Sequence, residues 1–252
     1  MKKLLLTTGF ALALAAGTQA HAQTTIADWN FDSTADSSTI TSVTPGTTSA
    51  SISADLGSGT ADSVHASSSA AYSSPAGNGG GASGGGGGSF SSNNWAVGDS
   101  YAFQVSTLNY NNIQVSWDQA SSSTGPKDFT LEYSINGGAF VADGSYSVLV
   151  NGSPNTAWSG SIGAARNPAY TLSFNLGNLG ANVTSLTLEL VDADTTSEAG
   201  GTVASSGTDR VDNFLVTGTL AATPEPSTWV LVVAALGLLA CVRARRLSAS
   251  NR

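Results

Sequence analysis

Cysteine is almost absent from this chain of 252 residues: Cys241 stands alone near the C-terminus, so no disulfide can form within the chain. The fold must hold by packing. Positive charge is nearly as scarce. Between residues 23 and 222 only Lys127, Arg166 and Arg210 are cationic, against 16 Asp and Glu, a net of −13. Phosphate backbones are gripped by clustered Lys and Arg, so this balance excludes a nucleic-acid partner. Histidine is reduced to His65 once the first 22 residues are set aside, and in SVHASSSAAY it has no recognisable partner. Neither G-x-S-x-G nor H-E-x-x-H occurs, so no motif supplies a nucleophile or a zinc site. A helical period sustained over three turns is also missing from the body.

What the body does contain is alternation. Tyr101, Phe103 and Val105 form one set at every second position, Ile113, Val115 and Trp117 a second, and Phe129, Leu131, Tyr133 and Ile135 a third. Polar residues fill the positions between them, the pattern of strands with one wet and one dry face. Asn136-Gly137 suits a tight hairpin turn, with Ala139-Phe140-Val141 returning as the paired strand. Further strands are expected at Tyr170 to Leu176, Leu186 to Leu190 and Asp212 to Val216, and a first strand at Ile26 to Phe31 that should lie beside the last. The expected fold is all-β, an antiparallel β-sandwich of jelly-roll type. Residues 32 to 94 are weakly patterned. Within them Gly77 to Gly88 carries nine glycines in twelve positions and reads as a flexible surface loop. Its formal Gly77-x-Gly79-x-x-Ala82 match to a dinucleotide fingerprint lacks the strand and helix that such a site needs.

The two ends of the chain differ from this body. Lys2 and Lys3 precede the apolar run Leu4 to Ala16, and Ala20-His21-Ala22 ahead of Gln23 has the small residues of a cleavage site, so residues 1–22 read as a secretory signal peptide. Residues 23–222 then form the exported domain, and 223–252 a separate tail. In the tail, Ser227 to Val242 is an apolar run of 16 residues, about 24 Å as a helix at about 1.5 Å per residue. Against a hydrocarbon core of about 30 Å it is a short transmembrane helix. Trp229 suits one interface, and Arg243, Arg245 and Arg246, within the basic stretch 243–252, hold the other end in the cytoplasm. Pro224 and Pro226 keep the backbone around Glu225 extended and available to a processing enzyme.

Pro-Glu-Pro, the following Ser-Thr-Trp, the glycine-containing helix and the basic end, in that order, resemble the PEP-CTERM sorting signal; only Thr223, where valine is frequent, departs from it. The resemblance implies an exosortase as partner, with Pro224, Glu225 and Pro226 marking the processing region. It also implies a Gram-negative host that makes exopolysaccharide, and a protein held at the membrane before it reaches the cell surface or matrix. A second resemblance, to a β-sandwich module of secreted bacterial proteins, spans about residues 95–218 on SSSTGPKDFTLEYSINGGAF and GTDRVDNFLVTG. It brings no catalytic residues with it.

Binding residues in the body are less plainly marked. Glu189, Asp192, Asp194 and Glu198 offer hard oxygens of the kind calcium takes, but they lack EF-hand spacing, and a solvated loop is the favoured reading. No metal and no cofactor are expected. Trp95 and Trp158 lie among turn-forming residues and are the candidates for stacking on a glycan, set against an edge-capping role that is favoured for both. Three functional readings follow in order: a non-catalytic structural or adhesive component beside exopolysaccharide, a carbohydrate-binding module, and a glycan hydrolase built on two carboxylates.

Overall fold

The computed structural model describes residues 22–66, 68–79, 87–151, 158–159, 161 and 164–221, and in the tail 232–233, 235–241 and 243. Among the described residues fourteen strands form the body: β1 (Gln23–Trp29), β2 (Ile52–Ser53), β3 (Leu56–Gly57), β4 (Gly59–Val64), β5 (Tyr72–Ser73), β6 (Phe90–Asn93), β7 (Ser100–Val105), β8 (Tyr110–Ser121), β9 (Asp128–Ile135), β10 (Val141–Ser147), β11 (Leu149–Val150), β12 (Thr171–Gly177), β13 (Leu186–Asp192) and β14 (Thr208–Leu220). They make two sheets. The larger, of eight strands, runs β11-β8-β14-β1-β3, with β12 also on β8 and with β6 on β14 and β5; the smaller, of six, runs β10-β9-β13-β7-β4-β2.

Alternation explains both sheets. Along β13, Leu186, Leu188, Leu190 and Asp192 are buried while the residues between them are half exposed. The inner faces meet through aromatic rings: Trp29 of the large sheet stands edge-on to Phe103 of the small one, and Phe214 stacks on Phe103. Every residue of the first two alternating sets is buried, as are Phe129 and Leu131 of the third. The body is thus an all-β sandwich. One pairing departs from the antiparallel expectation, because the short β11 runs parallel to β8 at Leu149↔Ala120.

The first strand does pair with the last, from Gln23↔Thr219 to Trp29↔Phe214. It ends two residues earlier than expected, because Phe31 turns to φ +51° and leaves the strand direction. The Asn136-Gly137 turn forms with both residues at positive φ and Gly138 N–H donating to Ile135 O at 3.0 Å. Pairing on the return begins only at Val141 and extends to Ser147, leaving Phe140 exposed.

The weakly patterned stretch contains the helix α1 (Thr34–Thr41) and the strands β2 to β6. Ser33 caps α1 by accepting Asp36 N–H at 3.0 Å, and its hydroxyl reaches Asp36 Oδ2 at 2.6 Å. The stems of the glycine loop, 77–79 and 87–88, are fixed rather than flexible. Gly77 N–H donates to Gly87 O at 2.9 Å, and a Cβ on Gly77 would stand 2.0 Å from Gly88 O. Only glycine allows that approach. Residues 80–86 lie outside the described residues.

The chain divides into two compact units, one ending at Thr219 and the other beginning at Leu220. In the second, the described residues between 232 and 243 are helical, and Val233, Leu236, Leu238 and Leu239 are each more than 60% exposed. Among the described residues no helix is long and apolar enough to cross a membrane. Seven of the sixteen residues of the expected transmembrane helix 227–242 lie outside the described residues, as do Ala20, Pro224, Glu225, Pro226, Arg245 and Arg246, and Trp229 is one of the seven; Arg243 is described, helical and exposed. Ala22 and Gln23 are exposed where the body begins.

Candidate functional site

The outer face of the large sheet carries a groove of about 380 Å³. Its floor comes from three neighbouring strands: Gln114, Val115 and Ser116 of β8, Ser173, Phe174 and Asn175 of β12, and Leu215 and Thr217 of β14. Register places Ser173 opposite Ser116 and Asn175 opposite Gln114, which aligns their side chains in rows. None of the eight lining residues is ionisable. Gln114, Ser116, Ser173 and Thr217 make no side-chain hydrogen bond to other described residues, leaving their donors and acceptors to solvent or a ligand.

The same rows run on into a dense polar network at one end. Thr171, opposite Asp118, donates its hydroxyl to Asp118 Oδ1 at 2.6 Å. Arg166 closes on the same carboxylate with Nε to Oδ2 at 2.6 Å and Nη2 to Oδ1 at 2.7 Å. Asn213, at φ +51° within β14, turns its Nδ2 toward Asp118 Oδ2 (2.9 Å), Asn78 O (3.0 Å) and Asp212 Oδ2 (3.1 Å). Asn tolerates this left-handed geometry better than most residues. Around it β14 changes partner, from β6 at residues 208–211 to β1 at 214–219.

Two carboxylates are therefore brought together here, the arrangement that the hydrolase reading would need. Asp118 is fully buried and Asp212 is 1% exposed. Fixed donors occupy both Asp118 oxygens, and Asp212 Oδ2 accepts Asn78 N–H at 2.6 Å. Burial holds Asp212 well above the usual carboxylate range, the Asn78 and Asn213 N–H groups oppose it, and Asp32 and Asp118 add to it. The pair ties the stem of the glycine loop to β14, and neither acid faces the groove.

The histidine that has no partner in the sequence acquires two in the fold. His65 Nδ1 lies 2.9 Å from Asp99 Oδ2, although off the direction of a good hydrogen bond, and Nε2 lies 3.3 Å from Ser92 Oγ. Asp99 also accepts N–H from Ala66 at 2.8 Å and Ala96 at 2.7 Å. The order serine, histidine, aspartate is that of a hydrolytic triad. All three side chains are sealed in the interior, at 1% exposure or less. No local signal announces this set, because its members come from three strand ends that meet only when β4, β6 and β7 assemble.

The two candidate tryptophans are buried, Trp95 at 5% and Trp158 at 6% exposure, which removes both from glycan stacking. Trp95 packs among His65, Tyr101 and Phe129 and donates Nε1–H to Ser92 O at 3.0 Å. Trp158 stands edge-on to Tyr170 and donates to Ala76 O at 2.6 Å. They seal the sandwich. The four acids weighed for calcium do not converge either. Glu189 lies on the outer face of β13, Asp192 points inward, and Asp194 accepts Thr196 N–H at 2.6 Å. Among the described residues no group of three or more His, Cys, Asp or Glu could hold a metal ion.

No protein family model matches the chain, and no curated protein does. Solved structures give remote likenesses. The K1 cleaved adhesin domain of Lys-gingipain from Porphyromonas gingivalis W83 shares 10% identity over 80% of this chain and 99% of its own, with a TM-score of 0.37. A CBM35 from Cellvibrio japonicus Abf62 shares 16% identity over 59% of this chain and 86% of its own, with a TM-score of 0.31. An exo-beta-agarase shares 10% identity over 79% of this chain and 26% of its own, at a TM-score of 0.35. At such scores none of them bears on what this chain binds.

Proposed function

We propose that this protein is an exported, non-catalytic component of the cell surface or extracellular matrix that adheres to exopolysaccharide through the outer face of its large sheet. The observation that carries the reading is the groove itself. Uncommitted amide and hydroxyl groups of Gln114, Ser116, Ser173 and Thr217 border the apolar surface of Leu215. Sugars present that same mixture of hydroxyl edge and apolar ring face. A neutral or weakly charged polysaccharide suits a body carrying −13 better than a polyanion does.

The ends of the chain supply the route. Residues 1–22 direct export, and the PEP-CTERM-like tail holds the protein at the cytoplasmic membrane until an exosortase acts near Pro224, Glu225 and Pro226. An apolar run of 16 residues is a marginal span, adequate for presentation and short for a permanent anchor. Intact-mass measurement of the protein from its host tests this route: a C-terminus near Glu225 is expected, and a species still ending at Arg252 would defeat it.

The carbohydrate-binding reading rests on the same groove and is tested by calorimetric titration with the host exopolysaccharide and a panel of neutral glycans. Replacing Gln114 and Ser173 together by Ala should weaken binding about tenfold, the loss of one or two hydrogen bonds. Unchanged affinity in that variant would remove the groove from the proposal, and turnover of any glycan would overturn the non-catalytic reading.

A further inference from the structure

The inner face of the small sheet ends in an acid where its pattern calls for a hydrophobe. Leu186, Leu188, Leu190 and Asp192 share one face of β13, and Asp192 is 1% exposed. One step beyond the pair Val191↔Ser100, Asp192 lies beside Asp99, and its N–H donates to Asp99 O at 2.8 Å. One step beyond Val64↔Ser100, Asp99 meets His65. A buried row therefore reads Asp192, Asp99, His65.

Asp99 has its partners; Asp192 does not. Neither of its oxygens has a well-placed hydrogen-bond donor among the described residues. The groups set around it are mostly of its own sign. Asp99 comes from the start of β7, Asp128 from β9 and Asp194 from the following loop, with the Asp194 N–H near enough to ease the charge. Across the interior, β14 contributes Asp209 and Arg210, and Arg210 acts on Asp209 and Tyr101. An ionised, unpaired carboxylate in such a place is among the costliest things a core can contain.

The backbone over this row is a clasp of three loops. Gly98 N–H donates to Asp192 O at 2.9 Å and Ala193 N–H to Asp128 O at 2.9 Å. Glu198, Ala199 and Ala204 donate to Gly125, Ser123 and Thr124. We propose that Asp192 is a proton-operated latch: with its carboxyl protonated the loops at residues 94–99, 122–128 and 193–207 close over this end of the sandwich, and ionisation drives them open.

Burial first, then the charges of Asp99, Asp194 and Asp128, raise the Asp192 carboxyl to about 7. An acid raised in the folded state favours closure fully below its unfolded value of about 4, and that advantage is lost as pH climbs through about 7. Opening should therefore grow by up to about tenfold per pH unit across that interval and level off above it.

Hydrogen exchange on the full-length protein, corrected for intrinsic exchange, tests the latch. Between pH 5 and pH 7 the Gly98 and Ala193 amides should lose protection at least about tenfold more than the Thr107 amide, which is bonded to Val183 O at the other end of the sheet. Asp192→Asn should abolish the difference. Equal loss at all three amides, or an undiminished difference in the variant, would overturn the proposal. If the variant does not fold, carboxyl-carbon NMR of Asp192 in the unaltered chain decides: a midpoint above about 6 supports the latch and one below about 5 defeats it.

Discussion

Arg166 and Asp118 form a two-pronged ion pair in which the carboxylate is wholly buried and the guanidinium side chain is 41% exposed, with N–O distances of 2.6 and 2.7 Å. Its planar fork matches both oxygens at once, which a lysine ammonium cannot do. Arg166→Lys should therefore lower stability by about 1–2 kcal/mol, and Arg166→Ala by more, because Asp118 stays buried without its counter-charge. Urea unfolding checks the ranking; equal stability of Lys and Ala variants would show that the fork is not what matters.

On the outer face of the small sheet, Glu189 stands directly opposite Glu132. Partial burial raises the Glu189 carboxyl above its ordinary value, and Glu132 adds to the shift. Such a raised acid stabilises the fold below its unfolded pKa, and the effect is lost as pH rises through the folded one. Glu189→Gln should thus gain about 0.2–1 kcal/mol at pH 7, with the gain shrinking in high salt and at acid pH. Thermal unfolding at two salt concentrations reads it directly.

Trp95→Ala should cost about 3–5 kcal/mol by opening a cavity among His65, Tyr101 and Phe129. Below the unfolding transition, glycan affinity should not change, since the ring never reaches the groove. A selective loss of binding in a folded Trp95→Ala protein would restore the surface role that burial denies it.

Gly77→Ala forces a Cβ to within 2.0 Å of Gly88 O and 2.5 Å of Asp212 Oδ2. Relief must part the stem of the glycine loop from β14. A destabilisation of about 1–3 kcal/mol is expected, with faster exchange at the Asn78 amide that donates to Asp212; full protection there would mean that the stem is looser than its hydrogen bonds imply.

The long strands were legible because burial on one face writes itself as a period of two. Leu186 to Leu190, Phe129 to Ile135 and the Asn136-Gly137 turn needed no partner to be recognised. Strands of two residues, such as Ile52–Ser53 and Tyr72–Ser73, are too short to show a period, and α1, TADSSTIT, has no apolar stripe. The groove was hidden for a related reason: its polar residues, Gln114, Ser116, Ser173, Asn175 and Thr217, are the outward halves of alternating strands, read in sequence only as solvent-facing filler. Trp95 and Trp158 misled because turn-rich neighbours suggested exposure, whereas each ring folds inward and satisfies its N–H on a carbonyl. His65 and Asp99, 34 positions apart, become neighbours only through the pairing of β4 with β7.

The pairing of the first strand with the last has a mechanical consequence. Gln23 sits opposite Thr219, so both ends of the body leave from the same edge, and tension between the two ends would peel β1 from β14 one rung at a time. A load taken up in the groove enters elsewhere. Leu215 and Thr217 lie on β14 itself, close to where the strand runs out at Leu220, so under the adhesive role proposed above a load borne there runs along the strand. In that role the rungs to β1 on one side and to β8 on the other would hold β14 in shear, a geometry that resists load better than the peeling that parts the two ends of the body.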